Sequence, residues 1–156
     1  MKTSNLQLVL LRLAIGALFL TIGLEKYSEG WLTNAAPLTE SLQRYAEHPG
    51  SLQGVYLRTV ALPLASFWSK AILLGELALG ASLLLGLLVR SSSLAGVFMV
   101  VNLQAANGNL FSWSLFSSPW GAMLIAGLVA MFLSRAGRWA GLDAALARLN
   151  GKSAFW

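Results

Sequence analysis

The sequence predicts an all-α integral membrane protein: a four-helix bundle with short helices in its first outer loop. Three observations predict it. The 156 residues are 56% hydrophobic and only 11% charged, against about a quarter charged in an ordinary soluble domain. The mean hydropathy is +0.66, and a soluble domain of this size has too little polar surface to cover that many apolar side chains. The apolar residues also gather into separate runs, each near the roughly 20 residues that a helix needs to cross the hydrocarbon layer. Finally, Lys and Arg are distributed unevenly between the connecting segments, the pattern that orients a helix bundle in a membrane.

The first run covers residues 6–24 and is interrupted by Arg12. Lys2 ahead of an apolar stretch can mark a secretory signal. Here Arg12 breaks the stretch and no small-residue cleavage site follows directly, so the run reads as a retained helix. The second run, 67–89, carries Lys70 and Glu76, and the third, 93–106, holds Asn102 and Gln104. The fourth, 120–133, has a small residue at every fourth position from Ala122 through Ala126 and Ala130 to Ser134. The last two runs are short, but the uncharged segment 107–118 lets them extend. Four spans is the count this supports; three spans plus a re-entrant segment is the alternative.

A single domain is expected over 1–156, with an outer cap at about 27–66. In the cap, "PLTESLQRYAEHPG" reads as a short helix with Thr39 as N-cap, Glu40 in the first turn and Pro49-Gly50 as the stop. Residues 51–63 read as a second, interfacial helix ended by Pro63, laying Leu52, Val55, Tyr56 and Leu62 on the membrane surface.

Lys2, Arg12, Arg90, Arg135, Arg138, Arg148 and Lys152 fall on one side of this topology. Lys26, Arg44, Arg58 and Lys70 fall on the other, diluted over one long loop that also carries Glu25, Glu29, Glu40 and Glu47. Both termini are therefore expected in the cytoplasm, in a multi-pass protein of the inner (cytoplasmic) membrane in contact with the lipid bilayer. Trp31, Trp68, Trp113 and Trp120 then lie near the outer interface, and Trp139 and Trp156 near the inner one, the usual aromatic-belt positions.

Composition also excludes chemistry. With no cysteine and one histidine, His48, the chain can build neither a thiolate metal site nor a haem site with paired histidines, so no metal ligands are expected. The net charge of +5 is spread beside the apolar runs, so no nucleic-acid partner is expected.

Ionisable groups in a span are expensive, about 2.5–3.5 kcal/mol at the centre for Asp, Lys or Arg, and Arg12 and Glu76 sit deepest. At about 1.5 Å per residue, Arg12 lies about 9 Å, Glu76 about 20 Å and Lys26 about 30 Å above the inner end. Glu76 could reach either cation, directly or through water. Arg12, Gly16, Phe19, Gly23 and Lys26 form one stripe of the first helix; Glu76, Gly80, Leu83, Leu87 and Arg90 form its counterpart on the second. Their glycines suit close helix contact. Asn102 and Gln104 fall near the level of Glu76. Each residue has two readings. Glu76 either fixes helix register through an ion pair or serves a proton, a quinone or an anionic substrate. Arg12 either snorkels to the interface or joins that site. The amides either tie helices together or bind a ligand.

The stretches "LRLAIGALFLTIGLEK", "GELALGASLLLGLLVR" and "AGRWAGLDA", with the polar third helix, resemble the DoxX family of small four-helix membrane proteins. The variant with helices in its outer loop is similar to DoxD, the small subunit of a thiosulfate:quinone oxidoreductase. The positions that carry the likeness are Arg12, Gly16, Gly23 and Lys26, then Glu76, Gly80, Gly86 and Arg90, then Gly137, Arg138, Leu142 and Asp143. The resemblance implies a membrane subunit of a quinone-linked oxidoreductase with a larger partner subunit. No cofactor would be held by protein ligands; a bound quinone would carry electrons. Glu76 and Arg12 would be the catalytic pair, with Lys26, Asn102 and Gln104 binding substrate or quinone. The rival reading is a non-catalytic accessory subunit of a larger redox or photosynthetic complex, docked through the small-residue ridge at 122–130. A transporter is disfavoured because no inverted repeat or broken helix stands out.

Overall fold

The computed structural model describes residues 3–46, 52–107, 109, 113–118, 121–134 and 141–144, and these form helices and turns with no strand. Helix α1 (Thr3–Ser28) is followed by α2 (Ala36–Ala46), α3 (Leu52–Tyr56), α4 (Ala65–Leu85), α5 (Val89–Ala106), the single turn α6 (Ser114–Ser117) and α7 (Ala122–Ser134). Among the described residues two helices are long and apolar enough to cross a membrane: α1 over Asn5–Ser28 and α4 over Ala65–Leu85. With 18 residues α5 has the length, but Arg90, Ser91, Ser92, Ser93, Asn102 and Gln104 make it more polar. The described part of α7 is strongly apolar but has 13 residues.

Helices α1, α4, α5 and α7 close a ring of contacts, α1 to α4, α4 to α5, α5 to α7 and α7 back to α1. Inside it lies a core of Ile15, Phe19, Leu79, Leu83, Val89, Val100, Leu124, Leu128 and Met131. The α1–α4 seam is the closest, because glycine removes the side chains that would hold the backbones apart. A Cβ on Gly80 would stand 2.6 Å from the Leu20 nitrogen, and one on Gly23 2.8 Å from the Leu77 side chain. The expected glycine stripes do meet here.

A second core joins α2 to the segment before α4: Leu38, Leu42, Ala46, Leu57, Ala61 and Ala65, with Trp31, Tyr56 and Trp68 packed on it. Helix α2 starts earlier than the sequence pattern suggests. Asn34 Oδ1 accepts from the Ala36 amide at 2.9 Å, Pro37 sits in the first turn, and Thr39 lies inside the helix donating to the Ala35 carbonyl at 2.9 Å. Glu40 is thereby displaced from the first turn. The expected stop at Pro49-Gly50 lies outside the described residues. After α3 the chain widens into a π-helical turn, Leu57–Ala61, closed by a bond from the Leu62 amide to the Leu57 carbonyl at 2.8 Å. Leu57 is the buried anchor of this segment, whereas Val55 is exposed.

The largest correction concerns the second run. It is not one helix to Arg90: α4 stops at Leu85, and Leu87 and Arg90 lie beyond a turn. Gly86 takes a left-handed conformation, φ +67°, and the Gly86 and Leu87 amides bond back to the Leu83 and Ser82 carbonyls at 3.2 and 3.0 Å, closing a Schellman C-cap. Arg90 therefore belongs to α5, where its guanidinium lies 4.9 Å from the Phe132 ring. Hydropathy misses this boundary because the turn itself is apolar.

Candidate functional site

Buried charge appears at two levels of α1, at its last turn and at Arg12, fourteen residues or about 21 Å below it. At the cap end, Lys26 on the last turn of α1 forms an ion pair through Nζ with Glu76 Oε1 on α4. The glycine-lined seam lets the side chains meet, and the Glu76 side chain is 4% exposed against 17% for Lys26. The ammonium also lies 5.1 Å from the centre of the Trp31 ring. Trp31 is in turn anchored by Ser69 Oγ, which donates to its carbonyl at 2.7 Å, and by its own indole N–H to Glu29 at 2.9 Å. The other Glu76 oxygen, Oε2, is buried with no hydrogen-bond partner among the described residues.

At the level of the α4–α5 turn, Arg12 is 2% exposed and lies over Gly86, where a Cβ would come within 2.5 Å of its Nη1 and 2.6 Å of the Gly141 Cα. Asp143 completes this end. Its Oδ1 accepts from the Leu88 amide at 2.7 Å and its Oδ2 from the Val89 amide at 3.0 Å. Its own amide donates to the Gly86 carbonyl at 2.9 Å. It is an N-cap delivered from a distant segment, satisfying amides that open α5, and its carboxylate is the charge acting on Arg12. Arg12 and Glu76 do not share a pocket: Glu76 lies ten residues up α4 from Gly86, about 15 Å.

The third feature is a cavity of about 630 Å³ between α4 and α5, within the range of small-molecule sites. Its walls are mostly apolar, including Ile72, Leu79, Phe98 and Met99, and Asn102 lines it. The Tyr56 hydroxyl donates to Asn102 Oδ1 at 3.3 Å. Gln104 turns the other way on α5, 1% exposed, and accepts from Asn109 Nδ2 at 3.2 Å; Asn109 accepts from Ser114 at 2.7 Å. Two residues along a helix are about 200° apart, so the amide pair divides. The small-residue ridge of α7 faces outward at Ala126 and Ala130, beside Met123 at 80% and Leu133 at 72% exposure.

Sequence reasoning missed three participants. Trp68 and Tyr56 line the groove but carry no charge to draw notice. Asp143 was visible as part of a motif, but its partners lie more than fifty residues away in the chain.

The DoxX family model matches residues 7–107. The chain belongs to the DoxX family. The matched region contains Arg12, Lys26, Glu76, Gly86, Asn102 and Gln104 and ends just after α5, so Asp143 and α7 lie outside it. A DoxX protein is a membrane protein, in keeping with the two apolar helices. The curated proteins and the solved structures contain no match.

Proposed function

We propose that this DoxX protein is a quinone-binding membrane subunit of an oxidoreductase complex, of the thiosulfate:quinone type, working with a larger subunit that supplies electrons. The observation that supports the reading is the α4–α5 groove: long, apolar, with no charged residue among the described lining and with a polar cluster at Asn102 and Tyr56. An isoprenoid quinone has the matching shape, a flat head on an apolar tail. All four helices of the ring cross the inner membrane in this reading, α5 turning its amides toward the protein, with both termini in the cytoplasm. Glu76 supplies a protonatable group inside the bundle, Lys26 holds it in place, and Arg12 and Gln104 serve the architecture. A single unit of the whole chain carries these parts.

The test is saturable binding of a quinone to the purified protein in lipid nanodiscs, together with thiosulfate-dependent quinone reduction by the complex isolated in mild detergent. Absence of both removes the reading. The outward ridge at Ala126 and Ala130 supports the second reading, an accessory subunit, since small residues let a partner helix approach closely. A large co-purifying complex in which this chain is required for assembly but binds no quinone would establish that instead.

A further inference from the structure

Helix α3 is pinned to the outer part of α5 twice. Gln53 Nε2 donates to the Ala106 carbonyl at 2.7 Å, satisfying one of the carbonyls that end α5. One turn further along α3, the Tyr56 hydroxyl donates to Asn102 Oδ1 at 3.3 Å. Residues three or four apart share a helix face, so the two bonds join one face of α3 to one face of α5. That face of α5 is a wall of the groove: Ala95, Phe98, Met99, Asn102 and Ala106 all line it. Tyr56 lines it too. An amide side chain keeps its acceptor and its two donor hydrogens on separate atoms. With Oδ1 turned to Tyr56, Nδ2 is the atom left to bind something else. It has no acceptor among the described residues. Unlike Trp68 Nε1 and Ser93 Oγ, which are sealed off, it keeps accessible surface.

We infer that Asn102 Nδ2 is the ligand-binding donor of the groove and that Tyr56 is its positioning residue, holding the amide so that the site takes a neutral, apolar molecule with a carbonyl acceptor. This rests on the quinone-binding reading above and adds the donor atom, the cap residue that orients it and the ligand chemistry. Neutrality follows from the lining: among the described residues no Lys, Arg, Asp or Glu faces the groove, so a carboxylate or phosphate would be buried there without a counter-charge. Preference for an acceptor follows from the pinned amide. Ser91 also lines the groove, at the turn end, and is exposed. A serine hydroxyl rotates and offers a proton or a lone pair equally, so it selects no ligand. The Asn102 amide offers the groove its hydrogens, because Tyr56 has taken the oxygen. Ordering a donor before the ligand arrives lowers the cost of binding, and the cap provides that order through Gln53 and Tyr56.

The experiment uses the full chain in phosphatidylcholine nanodiscs, with decylubiquinone and its carbonyl-free counterpart decylbenzene as probes. Asn102→Leu removes the donor and should weaken decylubiquinone binding about tenfold with decylbenzene binding unchanged. Tyr56→Phe keeps the ring on the cap core and frees the amide to turn. It should weaken decylubiquinone about threefold, again without effect on decylbenzene. Ser91→Ala should change neither. Infrared spectra separate a donor from a merely structural residue. The carbonyl stretch of decylubiquinone should fall in frequency on binding the wild type, return to its bilayer position in Asn102→Leu and broaden in Tyr56→Phe. An unmoved stretch on the wild type, or wild-type affinity in Asn102→Leu, overturns the donor assignment, and so does a loss of binding in Ser91→Ala in its place; saturable binding in those cases leaves the groove reading standing. Wild-type affinity and an unbroadened band in Tyr56→Phe overturn the positioning role. No saturable decylubiquinone binding by the wild type overturns both this assignment and the quinone-binding reading.

Discussion

Two acids are buried beside cations of α1 that stand about 21 Å apart along that helix, and they are held differently. Asp143 is saturated: each carboxylate oxygen accepts a backbone amide of the chain entering α5, its own amide is tied to Gly86, and Arg12 lies in its field. Glu76 is half used, one oxygen on Lys26 and the other without a partner among the described residues. A fully satisfied buried carboxylate rigidifies the segments it joins, here three that are distant in sequence. A buried carboxylate with a spare oxygen retains capacity for a proton or a ligand. The difference teaches that buried charges of one chain can serve separate roles. The Arg12 level ties distant segments together, and the Glu76 level keeps one carboxylate oxygen without a partner among the described residues.

The sharpest way to break this comparison is to remove Asp143. Asp143→Ala strands the Leu88 and Val89 amides and removes a charge that acts on the buried Arg12, and should lower stability by about 3–5 kcal/mol, read from thermal unfolding in detergent. A loss below about 1 kcal/mol would strip this end of its architectural role. Gly86→Ala follows. The left-handed backbone alone costs about 1–2 kcal/mol with a side chain, and the added methyl meets Arg12; the same melting experiment reads it. Glu76→Gln should cost less than Asp143→Ala, about 1–2 kcal/mol, because Lys26 can extend toward the membrane surface when released. The reverse order of those two variants would invert the comparison. Replacing the pair together, Lys26→Met with Glu76→Leu, should come within about 1 kcal/mol of the wild type or exceed it, while the proposed function predicts loss of proton-linked quinone chemistry in the complex. The smallest effect is expected at Gly75, where an added Cβ meets only Met99 Sδ at 3.6 Å. Gly75→Ala should raise stability by up to about 1 kcal/mol through helix propensity, measured in the same melts.

Much of this architecture is legible in the sequence. Apolar runs locate α1 and α4 because burying a helix in lipid demands a length of hydrocarbon side chains, and that demand is local in sequence. The glycine stripes foretell the α1–α4 seam, since Gly16, Gly23 and Gly80 repeat at helical spacing. The α4–α5 boundary is not legible, because Gly86 sits among leucines and its left-handed turn leaves no trace in hydropathy. Nor is the division of the amides: Asn102 and Gln104 look equivalent by depth, and only helix rotation sends one to the groove and the other to Asn109. The choice of partner for Glu76 stands open between Arg12 and Lys26, since the two cations lie at similar distances in height from it.

The sequence by itself determined the all-helical character, the apolar helices α1 and α4 and the glycine faces on which they meet, all consequences of side-chain type at short spacing. Only the tertiary structure decided that Lys26 takes Glu76, that Asp143 caps α5 above Arg12, and that Trp68, Tyr56 and Asn102 gather at one end of a groove. Those outcomes depend on where segments far apart in the chain come to rest, and a hydrogen bond or an ion pair requires placement within a few ångströms that no local pattern specifies.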